Sequence, residues 1–183
     1  VPLGAWQMLV RSPLHRWVDP GRYYVAVTAH GSTLAYVFPT LVVMGFGYAV
    51  CAVSLGRPMH GMRLAWSSLV MVSAGALIAL ATVAAGKATV LYTFYPPLLG
   101  SPWYYGGILL AVAGSWIWVG LMVWHFRRWK RDHPGQPVPL AMFATTAGAL
   151  LWAWTSLGVG SEIAFLILPN AFGWTDTLDA GLA

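Results

Sequence analysis

The chain is poor in charged side chains. Lysine, arginine, aspartate and glutamate make up only 8% of its 183 residues, whereas soluble domains carry roughly 25%. So few charges cannot cover a surface that faces water, which excludes a soluble domain and indicates an integral membrane protein. The formal net charge is +5, but the basic residues lie in loops between apolar spans and form no stripe with interleaved aromatic residues. We therefore expect no nucleic-acid partner.

Cysteine is also nearly absent. The single cysteine, Cys51, lies inside an apolar span, so it cannot form an intrachain disulfide, and we interpret it as a small buried residue. An initiator methionine and a signal peptide are missing as well, and both ends look cut. We therefore expect a fragment of a longer membrane protein, without an internal repeat.

Long apolar runs are what the sequence has instead. They predict an all-α membrane protein with four transmembrane helices, antiparallel and part of a larger helical bundle, because a span needs about 20 apolar residues. Residues 1–22 mix tryptophans with arginines and prolines and predict an interfacial segment. Pro39 is expected to kink the first span and Pro169 to end the fourth. The predicted spans cover residues 23–54, 62–86, 103–126 and 139–168 of a single membrane region, 1–183.

Basic residues beside the spans predict the orientation. A tight basic cluster lies at 127–131, and Arg57 and Arg63 lie on the same side. Because positive residues next to a span stay in the cytoplasm, we expect loops 55–61 and 127–138 to be cytoplasmic. Loop 87–102, which is rich in aromatic residues and prolines, and both chain ends then face outward.

His30 is the strongest candidate for a functional residue, since a histidine inside an apolar span is costly unless its nitrogens are used. It lies about 10 Å below the outer start of the first span. Two interpretations stay open. It is a metal or heme-iron ligand, with its ring oriented through the other nitrogen by an acceptor, or it is hydrogen-bonded to a neighbouring helix. The other histidines lie at different depths, so a second ligand has to come from outside this sequence. They are His15, His60, His125 and His133.

Glu162 is the acidic residue inside a predicted span. It lies about 10 Å below the outer end of the fourth span, which is the level of His30. A carboxyl group at this depth is expected to be protonated or hydrogen-bonded, because burial disfavours its charged form. The open interpretations are a proton relay, an acid beside a cofactor, and a hydrogen bond between helices.

Several motifs together resemble a known family. They are TAHG at 28–31, LYTFYPPL at 91–98, the run at 114–140 that contains the basic cluster, and SLGVGSEIAFLILPNAFG at 156–173. In this order and at this spacing they resemble the B-type heme–copper oxygen reductases, specifically subunit I of a cytochrome c oxidase. The similarity runs from about Tyr23 to the C-terminus. It implies that the four spans are helices two to five of a subunit with a dozen or more helices.

The resemblance implies a cofactor and a role for His30. His30 matches the helix-two histidine that ligates the iron of a low-spin heme b, whose other axial histidine belongs to a late helix absent from this sequence. Tyr92 and Tyr95 match the outer loop near the heme. Together with Glu162 they are expected to lie near the cofactor. Gly31 is expected to let a flat ligand or a neighbouring helix approach.

The resemblance also implies an activity for the full-length protein. Electrons pass through the low-spin heme to a second heme paired with copper, oxygen is reduced to water, and protons move across a prokaryotic cytoplasmic membrane. Expected partners are membrane lipid, an oxidase subunit II with a copper electron-entry site, and a cytochrome c-type electron donor. The ligands of the second heme and of copper are not in this sequence, so we assign it no catalytic residue.

Two alternatives and one departure from the family pattern remain. The alternatives are a nitric oxide reductase, which pairs its heme with non-heme iron, and a membrane transporter or scaffold without a cofactor. The departure follows the His-Gly pair, where the family commonly has an aliphatic pair and an asparagine. Here the residues are Ser32, Thr33 and Leu34, which leaves ligation intact and the packing around the heme open.

Overall fold

The computed structural model describes residues 2–13, 20–56, 59–90 and 100–175, and this part of the chain is built mainly from helices. Helix α1 is Pro2–Val10. Helices α2, Pro20–Ser32, and α3, Phe38–Leu55, are joined by a π-helical turn, Thr33–Val37. Helices α4, α5 and α6 follow at Met62–Ala84, Pro102–Asp132 and Leu140–Glu162. A second π-helical turn, Ile163–Ile167, leads into α7, Leu168–Ala171.

Four continuous helices within these ranges are long and apolar enough to cross a membrane. They cover Gly21–Leu55, Met62–Ala84, Pro102–Asp132 and Leu140–Ala171. The predicted fold class, an all-α membrane protein with four transmembrane helices, is therefore confirmed. The interfacial segment predicted at 1–22 contains α1 and the start of α2.

The third membrane helix was predicted to end at residue 126. It continues instead to Asp132. Its last turns leave the apolar run but consist largely of arginine and lysine, which are good helix formers and interact favourably with a helix C-terminus. Arg128 and Asp132 lie 3.7 Å apart, one helical turn from each other. The ring of His133 stacks on Trp129 with centroids 4.5 Å apart, so this basic end is an ordered helix.

Pro169 was expected to end the fourth membrane helix, and this was wrong, since the helix continues to Ala171. Proline lacks an N–H, and its ring collides with the carbonyl group four residues earlier. In both long helices the turn before the proline is a π-helical turn, which has room for the ring. There the backbone N–H bonds to the carbonyl group five residues back, from Phe38 to Thr33 and from Leu168 to Ile163.

Helices α4 and α5 run antiparallel with their backbones in contact. A Cβ atom on Gly75 would come within 2.6 Å of the backbone nitrogen of Ala111, and one on Gly107 within 2.7 Å of the carbonyl oxygen of Gly75. Towards the other end, the Ser68 hydroxyl donates to the carbonyl oxygen of Gly114 at 2.7 Å. Small residues let transmembrane helices approach this closely, and α4–α5 is the closest-packed helix pair in the bundle.

Helix α6 is tied to α5 by two reciprocal hydrogen bonds. The indole N–H of Trp116 donates to the Ser156 hydroxyl at 2.8 Å, and that of Trp152 donates to the Ser115 hydroxyl at 2.9 Å. Helix α2 packs against α4, whereas α3 packs against α5 and α6. The first membrane helix, Gly21–Leu55, which comprises α2 and α3, therefore contacts α4 with its first half and α5 and α6 with its second half.

Two buried clusters fill the space between the helices. One lies at the end of the bundle that carries His30, which we call the His30 end, and it includes Tyr104 and Ile163. The other lies at the opposite end and includes Trp118 and Cys51. Cys51 is only 1% exposed, as expected of a small buried residue, and its thiol lies 3.6 Å from the sulfur of Met122.

Candidate functional site

His30 lies in the last turn of α2, directly before the first π-helical turn. Its side chain is half-buried, and its imidazole makes no hydrogen bond with any other residue that the structure describes. The hydrogen bond to a neighbouring helix that one interpretation required is therefore not found in this part of the chain. An acceptor that would orient the ring is not found there either. The π-helical turn beside His30 is a feature that often accompanies functional sites.

Helix α1 packs antiparallel against α2 on the side of His30. The amide of Gln7 donates to the carbonyl oxygen of Ala26 at 3.4 Å, and the guanidinium of Arg11 donates to the hydroxyl of Tyr23 at 2.9 and 3.1 Å. One turn before Gln7 in α1, Gly4 faces the His30 ring. These contacts make α1 part of the surroundings of His30, a role that the interfacial interpretation of residues 1–22 missed.

The spacing of the α1 residues was the signal that could have revealed this contact. Positions 4, 7 and 11 lie on one face of a helix, and a small, an amide and a cationic residue occupy them. Their partners in α2 follow in the reverse order, as antiparallel packing requires. Prolines and mixed polarity around this segment instead favoured an interfacial interpretation.

Ser32, two residues after His30, has a buried partner. Its hydroxyl lies 2.9 Å from the hydroxyl of Tyr104 in α5, and both side chains are buried. Thr33 bonds instead to its own helix, at the carbonyl oxygen of Ala29, and Leu34 is half-exposed. The Ser32–Tyr104 bond therefore ties the end of α2, two residues after His30, to the α4–α5 pair.

A cavity of about 200 Å³ lies between the first membrane helix and α4, α5 and α6. Ser32, Tyr104 and Ser156 are among its lining residues, and its wall is almost entirely apolar. His30 does not line this cavity, which is also smaller than the roughly 300–1,000 Å³ of sites for drug-sized ligands. This cavity is therefore not the site of a group bound to His30.

The donor chemistry of His30 fits a heme ligand. The donor is an imidazole in an apolar helix that makes no hydrogen bond with another described residue, and histidine is a common axial ligand of heme iron. As described, the Cε1–Nε2 edge of the ring lies against α1, since a Cβ atom on Gly4 would be 3.4 Å from both atoms. His30 is the residue in the described part of the chain that would hold the iron.

Glu162 is the last residue of α6 and directly precedes the second π-helical turn. Its side chain is half-buried and makes no hydrogen bond or ion pair with another described residue, so the predicted bond between helices is not found there. The residues beside Glu162 and His30, Ile163 and Ala29, belong to the same buried cluster at the His30 end. The two candidate residues therefore lie at similar levels, but no hydrogen bond joins them.

The remaining described histidines lie away from His30. His125 is buried, with Nδ1 2.7 Å from the carbonyl oxygen of Leu121, and His133 stacks on Trp129 as described above. The ring of His60 lies 6.5 Å from that of Trp124. All three lie towards the opposite end of the bundle, and the described ranges hold no cluster of three metal-binding side chains. His15, Tyr92 and Tyr95 lie outside the described residues.

Comparisons with known proteins match nearly the whole chain. Residues 3–183 match the family described as cytochrome c and quinol oxidase polypeptide I. The chain is 35% identical over 160 residues to cytochrome c oxidase subunit 1 of Thermus thermophilus, covering 86% of this chain and 28% of that protein.

A solved structure agrees with this match. A cryo-EM structure of a heme–copper terminal oxidase dimer superposes with a TM-score of 0.88 at 36% identity, over 94% of this chain and 30% of the matched chain. The chain thus spans less than a third of the length of either relative.

Proposed function

The chain belongs to the family of cytochrome c and quinol oxidase polypeptide I, and from this premise we propose that it is part of the catalytic subunit of a terminal respiratory oxidase. The complete subunit passes electrons through a low-spin heme b to a second heme paired with copper, reduces oxygen to water and moves protons across the membrane. Both relatives described above are oxidases. They favour this activity over nitric oxide reduction and over a cofactor-free transporter or scaffold.

His30 is the axial ligand of the low-spin heme in this proposal. The observation that carries it is the imidazole of His30, which lies in an apolar helix and makes no hydrogen bond with another described residue. Because burying an unused polar group in a membrane is costly, a ligand at its nitrogen explains why it is there. When bound, the heme supplies a carrier of single electrons.

The residues of this chain are proposed to bind and orient the heme. His30 donates a nitrogen lone pair to the iron, and the Ser32–Tyr104 bond fixes the end of the helix that carries His30. The apolar residues of the buried cluster at the His30 end exclude water from this region. The second axial histidine, the second heme and copper are assigned to segments outside this chain.

The test is the substitution His30→Ala in the full-length oxidase. We expect the absorption spectrum of the low-spin heme to disappear while that of the second heme remains. His133→Ala is the matched control, because His133 is bonded within its own helix at the other end of the bundle, and its spectrum should be that of the wild type. A wild-type spectrum for His30→Ala would refute the assignment.

Three further residues are proposed to lie near the cofactor. Tyr92 and Tyr95 belong to the segment between α4 and α5 and are assigned there by the family resemblance. Glu162 is assigned there by its level in the bundle, since its neighbour Ile163 packs in the same cluster as Ala29, beside His30. Its carboxyl group is proposed to hold and release a proton.

The setting of the protein follows from the same proposal. The helices lie in a prokaryotic cytoplasmic membrane, with loops 55–61 and 127–138 in the cytoplasm and loop 87–102 and both ends outward. The basic end of α5, with Lys130 and Arg131 in its last turn, supports this orientation. The proposed partners are membrane lipid, a subunit II with a copper electron-entry site, and a cytochrome c-type donor.

A further inference from the structure

One exposed face of α5 passes from uncharged residues to cations. Residues three or four positions apart lie on the same side of a helix, and on α5 one such row is exposed from the middle of the helix to its end. Its members are Trp116, Gly120, Trp124, Arg127 and Arg131. Because the uncharged part and the basic part are continuous, a partner of this face has to have an apolar part followed by an anionic part.

Gly120 forms a notch in the uncharged part of this row. A Cβ atom on Gly120 would meet no atom within 4 Å, although the partly exposed indoles of Trp116 and Trp124 follow one turn away on either side. Each indole is held by a different neighbour. That of Trp116 donates to Ser156 in α6, whereas a Cβ atom on Gly61, directly before α4, would lie 2.8 Å from the ring of Trp124. The space at Gly120 therefore opens towards the lipid and is bounded by two aromatic rings.

The basic end of α5 has more positive charge than its own residues neutralise. Arg127 and Lys130 are exposed and form no ion pair with another described residue. The carboxylate of Asp132 lies 3.7 Å from Nε of both Arg128 and Arg131, and Arg131 still exposes 73% of its side chain. Three exposed cations, on Arg127, Lys130 and Arg131, are therefore available to an anionic group.

The spacing along α5 matches the layout of a phospholipid. Gly120 and Arg127 are seven residues apart, which is about 10 Å along the helix axis. Tryptophan is typical of the boundary between acyl chains and headgroups, and arginine binds phosphate through two parallel N–H bonds. A lipid phosphate beside Arg127 thus has its first acyl carbons near Trp124 and Gly120. A zwitterionic headgroup would bring its own cation to the basic end, so a headgroup with a net negative charge fits better.

We propose that this face of α5 is a binding site for an anionic phospholipid. An acyl chain lies in the notch at Gly120, and the phosphate lies beside Arg127, Lys130 and Arg131. The site is at the end of the bundle opposite His30, and it does not depend on the role of His30. The last turns of α5, which continue beyond its apolar part, carry the cations to the level of the headgroups.

The test measures lipid binding to the full-length oxidase in detergent, by native mass spectrometry with phosphatidylglycerol and with phosphatidylcholine. We expect phosphatidylglycerol to bind more tightly. A basic residue near anionic lipid changes the affinity by about fivefold, so Arg127→Gln and Arg131→Gln should each weaken phosphatidylglycerol binding by about that factor, and the double variant by about 25-fold. Lys87→Gln is the matched control, because it removes an exposed cation beyond the other end of α4. It should bind phosphatidylglycerol like the wild type.

A second pair of variants tests the notch. Gly120→Leu fills it, whereas Gly106→Leu adds the same side chain at another exposed glycine of α5, where a Cβ atom would also have open space. We expect a loss of phosphatidylglycerol affinity in Gly120→Leu and wild-type affinity in Gly106→Leu. Equal losses in both variants, or wild-type affinity in Gly120→Leu, would overturn the placement of an acyl chain there.

The remaining outcomes also decide the proposal. Equal affinity of the wild type for the two lipids overturns it, as does wild-type phosphatidylglycerol affinity in the Arg127→Gln/Arg131→Gln double variant. Competition by sn-glycerol 3-phosphate as strong as that by the intact lipid would indicate a site for free phosphate and would overturn a lipid site. Loss of another subunit or of a second oxidase copy in these variants, with unchanged lipid affinity, would show that a protein covers this face instead.

Discussion

The α4–α5 contact offers a test in which two adjacent glycines act in opposite ways. A Cβ atom on Gly107 would lie 2.7 Å from the carbonyl oxygen of Gly75 and 2.9 Å from the backbone nitrogen of Ala79, whereas one on Gly106 would meet no atom within 4 Å. An ordinary carbon contact needs about 3.4 Å or more, so Gly107→Ala has to push the helices apart by about 0.7 Å. Gly106→Ala requires no movement.

The magnitude follows from the two effects of adding a methyl group. Replacing glycine by alanine inside a helix stabilises it by roughly 0.5–1 kcal/mol, and this applies to both positions. Overpacking at Gly107 costs about 1–3 kcal/mol in addition. We therefore expect the free energy of unfolding of Gly107→Ala to lie about 1–3 kcal/mol below that of Gly106→Ala, whatever the common helix effect is.

The assay is the unfolding of the two full-length variants in the same detergent, followed by circular dichroism during a reversible denaturant titration. The comparison between adjacent positions cancels differences in expression and in detergent binding. Equal stability of the two variants, or a more stable Gly107→Ala, would refute the backbone contact between α4 and α5.

Three other predictions concern hydrogen bonds and a proton. A double-mutant cycle with Ser32→Ala and Tyr104→Phe should give a coupling energy of about 0.6 kcal/mol, and at most ~1.7 kcal/mol, as for other hydrogen bonds between membrane helices. A coupling energy of zero would argue against the 2.9 Å hydrogen bond between the two hydroxyls. Ser115→Ala removes the acceptor of the Trp152 indole N–H. In a denaturant titration it should lower the free energy of unfolding by about 1–3 kcal/mol, because a buried donor is left without a partner. An unchanged denaturant midpoint would contradict this hydrogen bond between α5 and α6. Glu162→Gln should slow proton translocation by the reconstituted oxidase, and wild-type turnover with wild-type translocation would remove Glu162 from any proton path.

The membrane helices themselves could be predicted from the sequence because apolar runs without charge have no other stable setting. Their ends were less predictable. α5 continues to Asp132 because helix propensity and favourable end charges extend it beyond its apolar part. The fourth helix passes Pro169 because a π-helical turn makes room for the ring, and no local pattern in the sequence distinguishes this from a helix that stops.

The site shows the same division between local and distant information. His30 was predictable because a histidine in an apolar run is conspicuous by itself. Its surroundings were not, since Gly4 lies 26 positions earlier in the chain and the partner of Ser32, Tyr104, lies 72 positions later. Such contacts depend on how helices are rotated and paired, which periodicity alone does not fix.

The central claim is that iron is bound to the imidazole of His30, and a cryo-EM map of the full-length oxidase with its cofactors tests it most directly. The account predicts continuous density from a ring nitrogen of His30 to the iron of a porphyrin. A low-spin heme held by other residues, with the imidazole of His30 bound to protein alone, would contradict it.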